Sequence, residues 1–216
     1  MRFDVDAVLF DIDGTLVDST GVVARTWRTW AEGRGLDAEE ILRVCHGRRT
    51  EDTLALFLPR SEWAQAAAEL AELELAGLDE VVPLPAAARL LHDLPEDRWA
   101  AVTSGSGALM RARLQTAGLP VPEVLVAAED VSAGKPDPEG YLKAAAALGH
   151  PAERCLVIED APAGIAAGRA AGAHTLAVAT SHPAAELTTA DAVVPDLTAC
   201  ALQVTAAGLT LTITRP

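Results

Sequence analysis

The chain has 216 residues, half of them hydrophobic and 22% charged, with a formal net charge of -14. That suffices for one large domain, or one domain with a modest insert, around a sizeable core, and it excludes global disorder. So acidic a balance argues against a nucleic-acid surface, since phosphate backbones are bound by clustered Lys and Arg. Small anions remain admissible wherever a site supplies positive charge locally.

Met1-Arg2-Phe3-Asp4 turns acidic at once and reaches an apolar run by Val8, so no signal peptide is expected. Alanine-rich stretches such as Ala144 to Leu148 are too short to span a bilayer, which needs ~20 residues, so no membrane association is expected. The first strand is expected at Ala7 to Phe10. Between Asp18 and Pro83 the pattern turns helical, with segments at roughly Thr20 to Gly33, Thr50 to Phe57 and Ser61 to Gly77. In the last, Trp63, Ala66, Ala67, Leu70 and Leu73 share a face, and Trp27, Trp30 and Trp63 read as core. Val82-Pro83-Leu84-Pro85 reads as the return from this insert.

Short apolar runs then recur at Trp99 to Thr103, Val124 to Ala127, Cys155 to Ile158, Thr175 to Val178 and Ala192 to Val194, separated by helical patterns. Ser106 can cap the helix after the second strand, and Asp137-Pro138-Glu139 reads as a helix start closed by Gly149. Strands alternating with helices imply an α/β fold, with a doubly wound, mostly parallel sheet and a small all-helical cap inserted after the first strand. The expected division is a core of residues 1–18 and 83–216 and a cap of residues 19–82. Gly164, Gly168 and Gly172 read as close packing of a helix on the sheet, and Gly208 to Thr214 as an edge strand. Cys45, Cys155 and Cys200 are odd in number and lack metal-site spacing, which suits reduced, buried thiols in a cytoplasmic protein.

Four strand ends carry chemistry. The first runs Asp11-Ile12-Asp13-Gly14-Thr15-Leu16-Val17-Asp18-Ser19, and in open α/β sheets ligands bind beyond the carboxyl ends of the strands. Gly14 permits a sharp turn that directs Asp11 and Asp13 into such a crevice. Thr103-Ser104-Gly105-Ser106 combines hydroxyls, a permissive glycine and a helix N-terminus, the makings of an anion site. Gly134-Lys135-Pro136 holds one of two lysines among 17 basic residues, which suggests a need for a compact ammonium. Glu159-Asp160 closes the buried run from Cys155. Two like charges about 4 Å apart repel by ~4 kcal/mol at an effective dielectric near 20. Four gathered carboxylates therefore require a cation, met by Mg²⁺ on carboxylate oxygens together with Lys135.

These motifs, in this order and with this insert, resemble the haloacid dehalogenase superfamily over nearly the whole chain. The likeness is greatest to glycerol-phosphate and 2-deoxyglucose-6-phosphate phosphatases. It is carried by His46-Gly47-Arg48-Arg49-Thr50, Glu129-Asp130-Val131, and the run from Glu159-Asp160-Ala161-Pro162 to Gly168. The resemblance implies a Mg²⁺-dependent phosphatase acting on a small phosphorylated sugar or polyol, as a monomer or small homo-oligomer. Asp11 would be the nucleophile and Asp13 the general acid and base. Thr103 or Ser104, with Gly105 and Lys135, would hold the phosphoryl oxygens. Asp11, the carbonyl of Asp13, and Asp160 would bind the metal, with Glu159 in or just behind the coordination shell. Arg48 and Arg49 could reach substrate from the cap or be plain surface charges, and His46 is more readily a structural residue than a ligand. β-Phosphoglucomutases share core and cap, but they carry a hinge histidine and a cap lysine; residues 20–24 hold no histidine, and no lysine precedes Lys135. Dehalogenases do not need Asp13 and the paired acids, and a phosphoacceptor signalling domain or simple phosphate-binding protein would have no use for Asp13.

Overall fold

The computed structural model describes residues 1–205 and 208–214. Its strands are β1 (Arg2–Val5), β2 (Ala7–Phe10), β3 (Val17–Asp18), β4 (Val82–Pro83), β5 (Trp99–Val102), β6 (Leu125–Val126), β7 (Cys155–Glu159), β8 (His174–Val178), β9 (Ala192–Val194), β10 (Cys200–Thr205) and β11 (Gly208–Ile213). The helices are α1 (Thr20–Arg34), α2 (Ala38–Cys45), α3 (Thr50–Leu54), α4 (Trp63–Ala76), α5 (Ala87–Asp93), α6 (Gly107–Thr116), α7 (Glu139–Ala147) and α8 (Pro162–Ala170). Six strands form one sheet in the order β6-β5-β2-β7-β8-β9, every neighbouring pair parallel.

Continuous apolar runs are what a sheet covered on both faces requires. Along β2 and β7 successive side chains feed opposite layers. Val8, Phe10, Leu156 and Ile158 join Leu90 and Leu91 of α5 and Leu109, Met110 and Leu114 of α6. Ala7, Leu9, Cys155 and Val157 join Tyr141 and Ala144 of α7 and Ala167 of α8. Gly168 lies against Val157 and Thr175, as close helix–sheet packing demands. The chain leaves β2 toward β5 and leaves β7 toward β8, so a crevice opens between β2 and β7 at their carboxyl ends.

Helices α1 to α4 form the insert, with a separate apolar cluster built on Trp27, Trp30, Ile41, Leu54, Ala66 and Leu70. Outgoing β3 pairs antiparallel with returning β4, so both crossings run side by side.

Four local readings need correction. The chain end is not an edge strand: β11 lies between β1 and β10 in an antiparallel three-stranded sheet. Strand β1 and helix α2 were not anticipated, because four alternating residues and an eight-residue amphipathic segment give little periodic signal. Helix α3 stops at Leu54, with turns to Leu58. Helix α7 starts at Glu139 rather than Pro138, although the Asp137 carboxylate does accept from the Glu139 N–H, and Gly149 follows with φ +77°. Ser106 caps α6 by accepting from the Leu109 N–H.

Glu139 secures the loop that presents Lys135. Its Oε2 accepts from the Ser132 N–H and hydroxyl and the Ala133 N–H, while Oε1 pairs with Lys143 at 2.7 Å. These partners, Lys143 first, hold the carboxyl down at about 2. A folded value below the unfolded one contributes stability above the ordinary carboxylate range that is lost as pH falls toward about 2. Glu139→Gln should therefore lower Tm at pH 7, with the gap to the parent chain closing on acidification; a pH-independent gap would assign the effect to shape alone.

Candidate active site

The β2–β7 crevice holds a buried network centred on Lys135. Its Nζ donates to Asp11 Oδ1 at 2.5 Å, Glu159 Oε1 at 2.7 Å and the Val102 carbonyl at 3.1 Å, joining the ends of β2, β7 and β5. Tyr141, on α7, donates its hydroxyl to Glu159 Oε1 at 3.0 Å. Glu159 Oε2 accepts the N–H groups of Asp160 and Ala161, both at 3.0 Å. Every lone-pair direction of Glu159 is thus engaged. Burial alone would lower the Lys135 pKa, but Asp11 and Glu159 outweigh it and hold the ammonium well above its usual value.

Asp11 and Asp160 are less completely matched. Burial, followed by neighbouring carboxylates, raises both well above the usual carboxylate range. Among the described residues Asp11 Oδ2 accepts no hydrogen bond, and the Asp160 side chain accepts only from Ser181 through Oδ2. Asp11, Glu159 and Asp160 each offer an oxygen within 4.8 Å of the others. Asp11 and Asp160, buried hard-oxygen donors with unfilled lone pairs and surplus negative charge, fit a cation of the Mg²⁺ type, with Glu159 beside them already saturated.

Gly14 turns the chain after Asp13 at φ +82°, and a Cβ there would meet Asp160 Oδ2 at 2.0 Å. Only glycine satisfies both demands. Asp13 points away from the metal-type cluster: Oδ1 accepts from the Ser19 hydroxyl and Oδ2 from Arg113 Nη1, both at 2.7 Å. The Thr103 hydroxyl accepts from the Gly105 N–H at 3.0 Å, and the Ser104 hydroxyl donates to the Gly47 carbonyl of the insert at 2.9 Å.

A cleft of about 710 Å³ lies between insert and sheet, with Asp11, Asp13, Thr103, Ser104, Gly105, Asp160 and Arg49 all on its wall. Lys135 lies beneath, bonded to Asp11 rather than lining the cleft. The Arg49 guanidinium is paired with Asp52 at 2.8 and 3.0 Å and extends to the Val131 carbonyl. Arg48 is exposed, lines the cleft and forms no ion pair among the described residues. His46 stacks edge-on against His182 at 6.0 Å, and burial, then His182, lowers its pKa. Trp27 and Trp30 pack in the insert core as expected, although Trp27 also reaches the cleft wall.

Sequence reasoning missed Arg113, Glu74, Tyr141 and Ser181. Arg113 and Glu74 sit on helices where a charge signals only solvent, and no local motif marks their meeting. Tyr141 is the sole tyrosine of the chain, which was a signal available in the composition.

Such a strand-end site beneath a helical insert defines a class of hydrolase, and the comparisons agree. The family model for haloacid dehalogenase-like hydrolases matches residues 5–172. The chain is 47% identical over 175 residues to hexitol phosphatase A of Escherichia coli K12, covering 79% of this chain and 81% of that protein. It is 37% identical over 193 residues to glycerol-1-phosphate phosphohydrolase 2 of Saccharomyces cerevisiae, covering 84% and 77%. A hydrolase from Pseudomonas syringae superposes with a TM-score of 0.82 at 26% identity, over 88% of this chain and 94% of that one. This protein belongs to the haloacid dehalogenase-like hydrolases and is an enzyme of that family.

Gly164 tests the network without altering a polar group. A Cβ there would fall 1.7 Å from Glu159 Oε1, well inside contact distance. Gly164→Ala should displace the Glu159 carboxylate, lowering both Tm and activity, and Gly164→Ser should do at least as much harm. A fully active, equally stable Gly164→Ala would show that the network does not depend on this close approach.

Proposed function

We propose that this chain is a Mg²⁺-dependent phosphomonoester hydrolase that acts on a small phosphorylated sugar or polyol through an aspartyl-phosphate on Asp11. The observation that carries the reading is the Asp11 carboxylate on the cleft wall: one oxygen is clamped by Lys135 at 2.5 Å, and the other accepts no hydrogen bond among the described residues. A nucleophile needs both fixed orientation and an unencumbered lone pair. The named activities of the two curated relatives, on a hexitol phosphate and on glycerol 1-phosphate, support the substrate class.

In the first step Asp11 Oδ2 forms a bond to phosphorus, the ester P–O bond breaks, and Asp13 gives its proton to the departing alkoxide. In the second, Asp13 takes a proton from water, the water oxygen attacks phosphorus, and Asp11 departs as carboxylate with release of phosphate. The Thr103–Gly105 turn holds phosphoryl oxygens, Lys135 joins it if it gives up one of its bonds to Asp11, Glu159 and the Val102 carbonyl, and Ser104 takes part if its bond to Gly47 opens. Asp11, Asp160 and the Asp13 carbonyl would hold Mg²⁺, which when bound supplies positive charge against the dianion. Glu159, already saturated by Lys135, Tyr141 and two backbone N–H groups, stands behind that shell. Residues 19–82 serve as the cap, residues 1–18 and 83–216 as the catalytic core, and three free buried cysteines suit a reducing cytoplasm. Arg48, with its uncommitted charge, is better placed than Arg49 to meet substrate. The mutase alternative still lacks its hinge histidine and cap lysine.

Asp11→Asn should abolish turnover with the fold intact, and measurable steady-state turnover would remove Asp11 from the nucleophile role. Asp13→Asn should turn over poorly yet still accept a phosphoryl group from an aryl phosphate, whose leaving group needs little proton donation; mass spectrometry of the trapped protein should place +80 Da, roughly one phosphoryl group, on Asp11.

Metal removal provides a separate check. Chelation with EDTA should silence hydrolysis and Mg²⁺ should restore it, while Ca²⁺ should inhibit because its larger, looser shell disturbs the in-line arrangement. Full activity in a metal-free preparation would refute the cation site.

A further inference from the structure

Arg113 lies on α6, and its side chain is 2% exposed. Nη1 donates to Asp13 Oδ2 at 2.7 Å, and Nη2 donates to Glu74 Oε1 at 3.3 Å on α4 of the insert. Its Nε is buried with no hydrogen-bond partner among the described residues. One guanidinium therefore joins a carboxylate of the core to a carboxylate of the insert, and both carboxylates line the cleft.

We propose that Arg113 is a positioning residue through which docking of the helical insert sets the orientation of the Asp13 carboxylate. The proposal rests on the reading of Asp13 as acid and base given above. A buried guanidinium must be paired, because an unpaired buried charge is strongly destabilising. If the insert lifts, Glu74 leaves with it, and Arg113 has only Asp13 to answer its charge. When the insert docks, Glu74 draws part of the guanidinium toward α4. Asp13 is then held between Arg113 on Oδ2 and Ser19 on Oδ1, in one fixed orientation at the cleft. Ser19, at the edge of the insert, also donates to Asp13, whereas Ser104 with Gly47 and Arg49 with Val131 meet across the cleft only through main-chain carbonyls. The Glu74–Arg113 contact instead continues to a side chain with a chemical task. A structural pair would need one carboxylate and no orphaned donor, and an apolar pair would fill the space at less cost in desolvation. Proton transfer by Asp13 would thus be available chiefly when the cleft is closed over substrate.

The link is tested on the full chain with Mg²⁺, comparing glycerol 1-phosphate with p-nitrophenyl phosphate, whose leaving group needs little proton donation. Glu74→Gln should lower kcat on the alkyl ester by roughly tenfold or more, with KM changed by less than about threefold. The first-turnover burst of nitrophenol should stay near that of the parent chain. Arg113→Gln should behave alike, Arg113→Lys should recover part of the loss, and the Glu74→Gln/Arg113→Gln double variant should be no worse than Arg113→Gln. If Arg113→Gln does not fold, Glu74→Gln and Arg113→Lys carry the same comparison, and their double variant replaces the first. Equal losses on the alkyl ester and the aryl burst, or losses that multiply in the double variant, would overturn the link. Asp13→Asn separates the two ideas. If that variant is inactive on the alkyl ester while the Arg113 and Glu74 variants show equal losses on both esters, only the link fails; if it retains full activity, the acid–base reading fails and the link with it.

Discussion

The arrangement of the site depends on one buried ammonium. Three parallel strands end in carboxylates or carbonyls that face one crevice, and without a cation the ends of β2 and β7 would repel. Lys135 answers Asp11, Glu159 and the Val102 carbonyl at once, from a loop outside the sheet. Taking a charge out of water costs several kcal/mol unless its partners are well placed, so the same contacts that favour the charged form also fix the loop. Glu159 carries the constraint outward. Its two remaining acceptors hold the backbone where β7 gives way to α8, and Gly164 must lack a side chain to leave room.

Negative charge still exceeds positive charge in this crevice. Asp11 is raised by burial and then by Glu159, Asp160 by burial and then by Asp11, and each retains an oxygen that accepts no hydrogen bond among the described residues. Unmet acceptors with surplus negative charge are unfavourable by themselves, and under the proposed function a divalent cation would offset that surplus.

The helical insert adds a second body with a separate core. The edge-on pair Trp27–Trp30 anchors it, and Arg34 lies over the Trp30 ring at 5.1 Å while pairing with Glu62 and Glu69. It meets the sheet domain through a few polar bonds and through Val22 and Val81, which pack into the apolar cluster on one face of the sheet. The two crossings between insert and sheet domain are joined by a two-residue ladder at β3 and β4.

Much of this was legible in the residue order. Six strands, their parallel alternation with helices, and the four strand-end motifs are local patterns: continuous apolar runs, turn glycines and caps within a few residues of one another. They located Asp11, Asp13, Thr103, Lys135 and Asp160 at strand or loop ends, and a parallel sheet then had to gather its carboxyl ends. Strand β1 and the central place of β11 were not legible, because Arg2↔Thr212 and its neighbours pair across more than 200 residues. Nor was the division among the carboxylates, in which Glu159 is saturated while Asp11 keeps a free oxygen; that depends on the approach of Tyr141 and the close packing of α8. Arg113 and Glu74 marked the clearest limit. On isolated helices each is an ordinary solvent-facing charge, and only the docking of α4 beside α6 buries them against each other and against Asp13. Sequence determined which groups lie at the ends of the strands, since that follows from local periodicity. Tertiary structure alone decided which of them are paired, buried or left free, because hydrogen-bond partners and desolvation are properties of three-dimensional proximity.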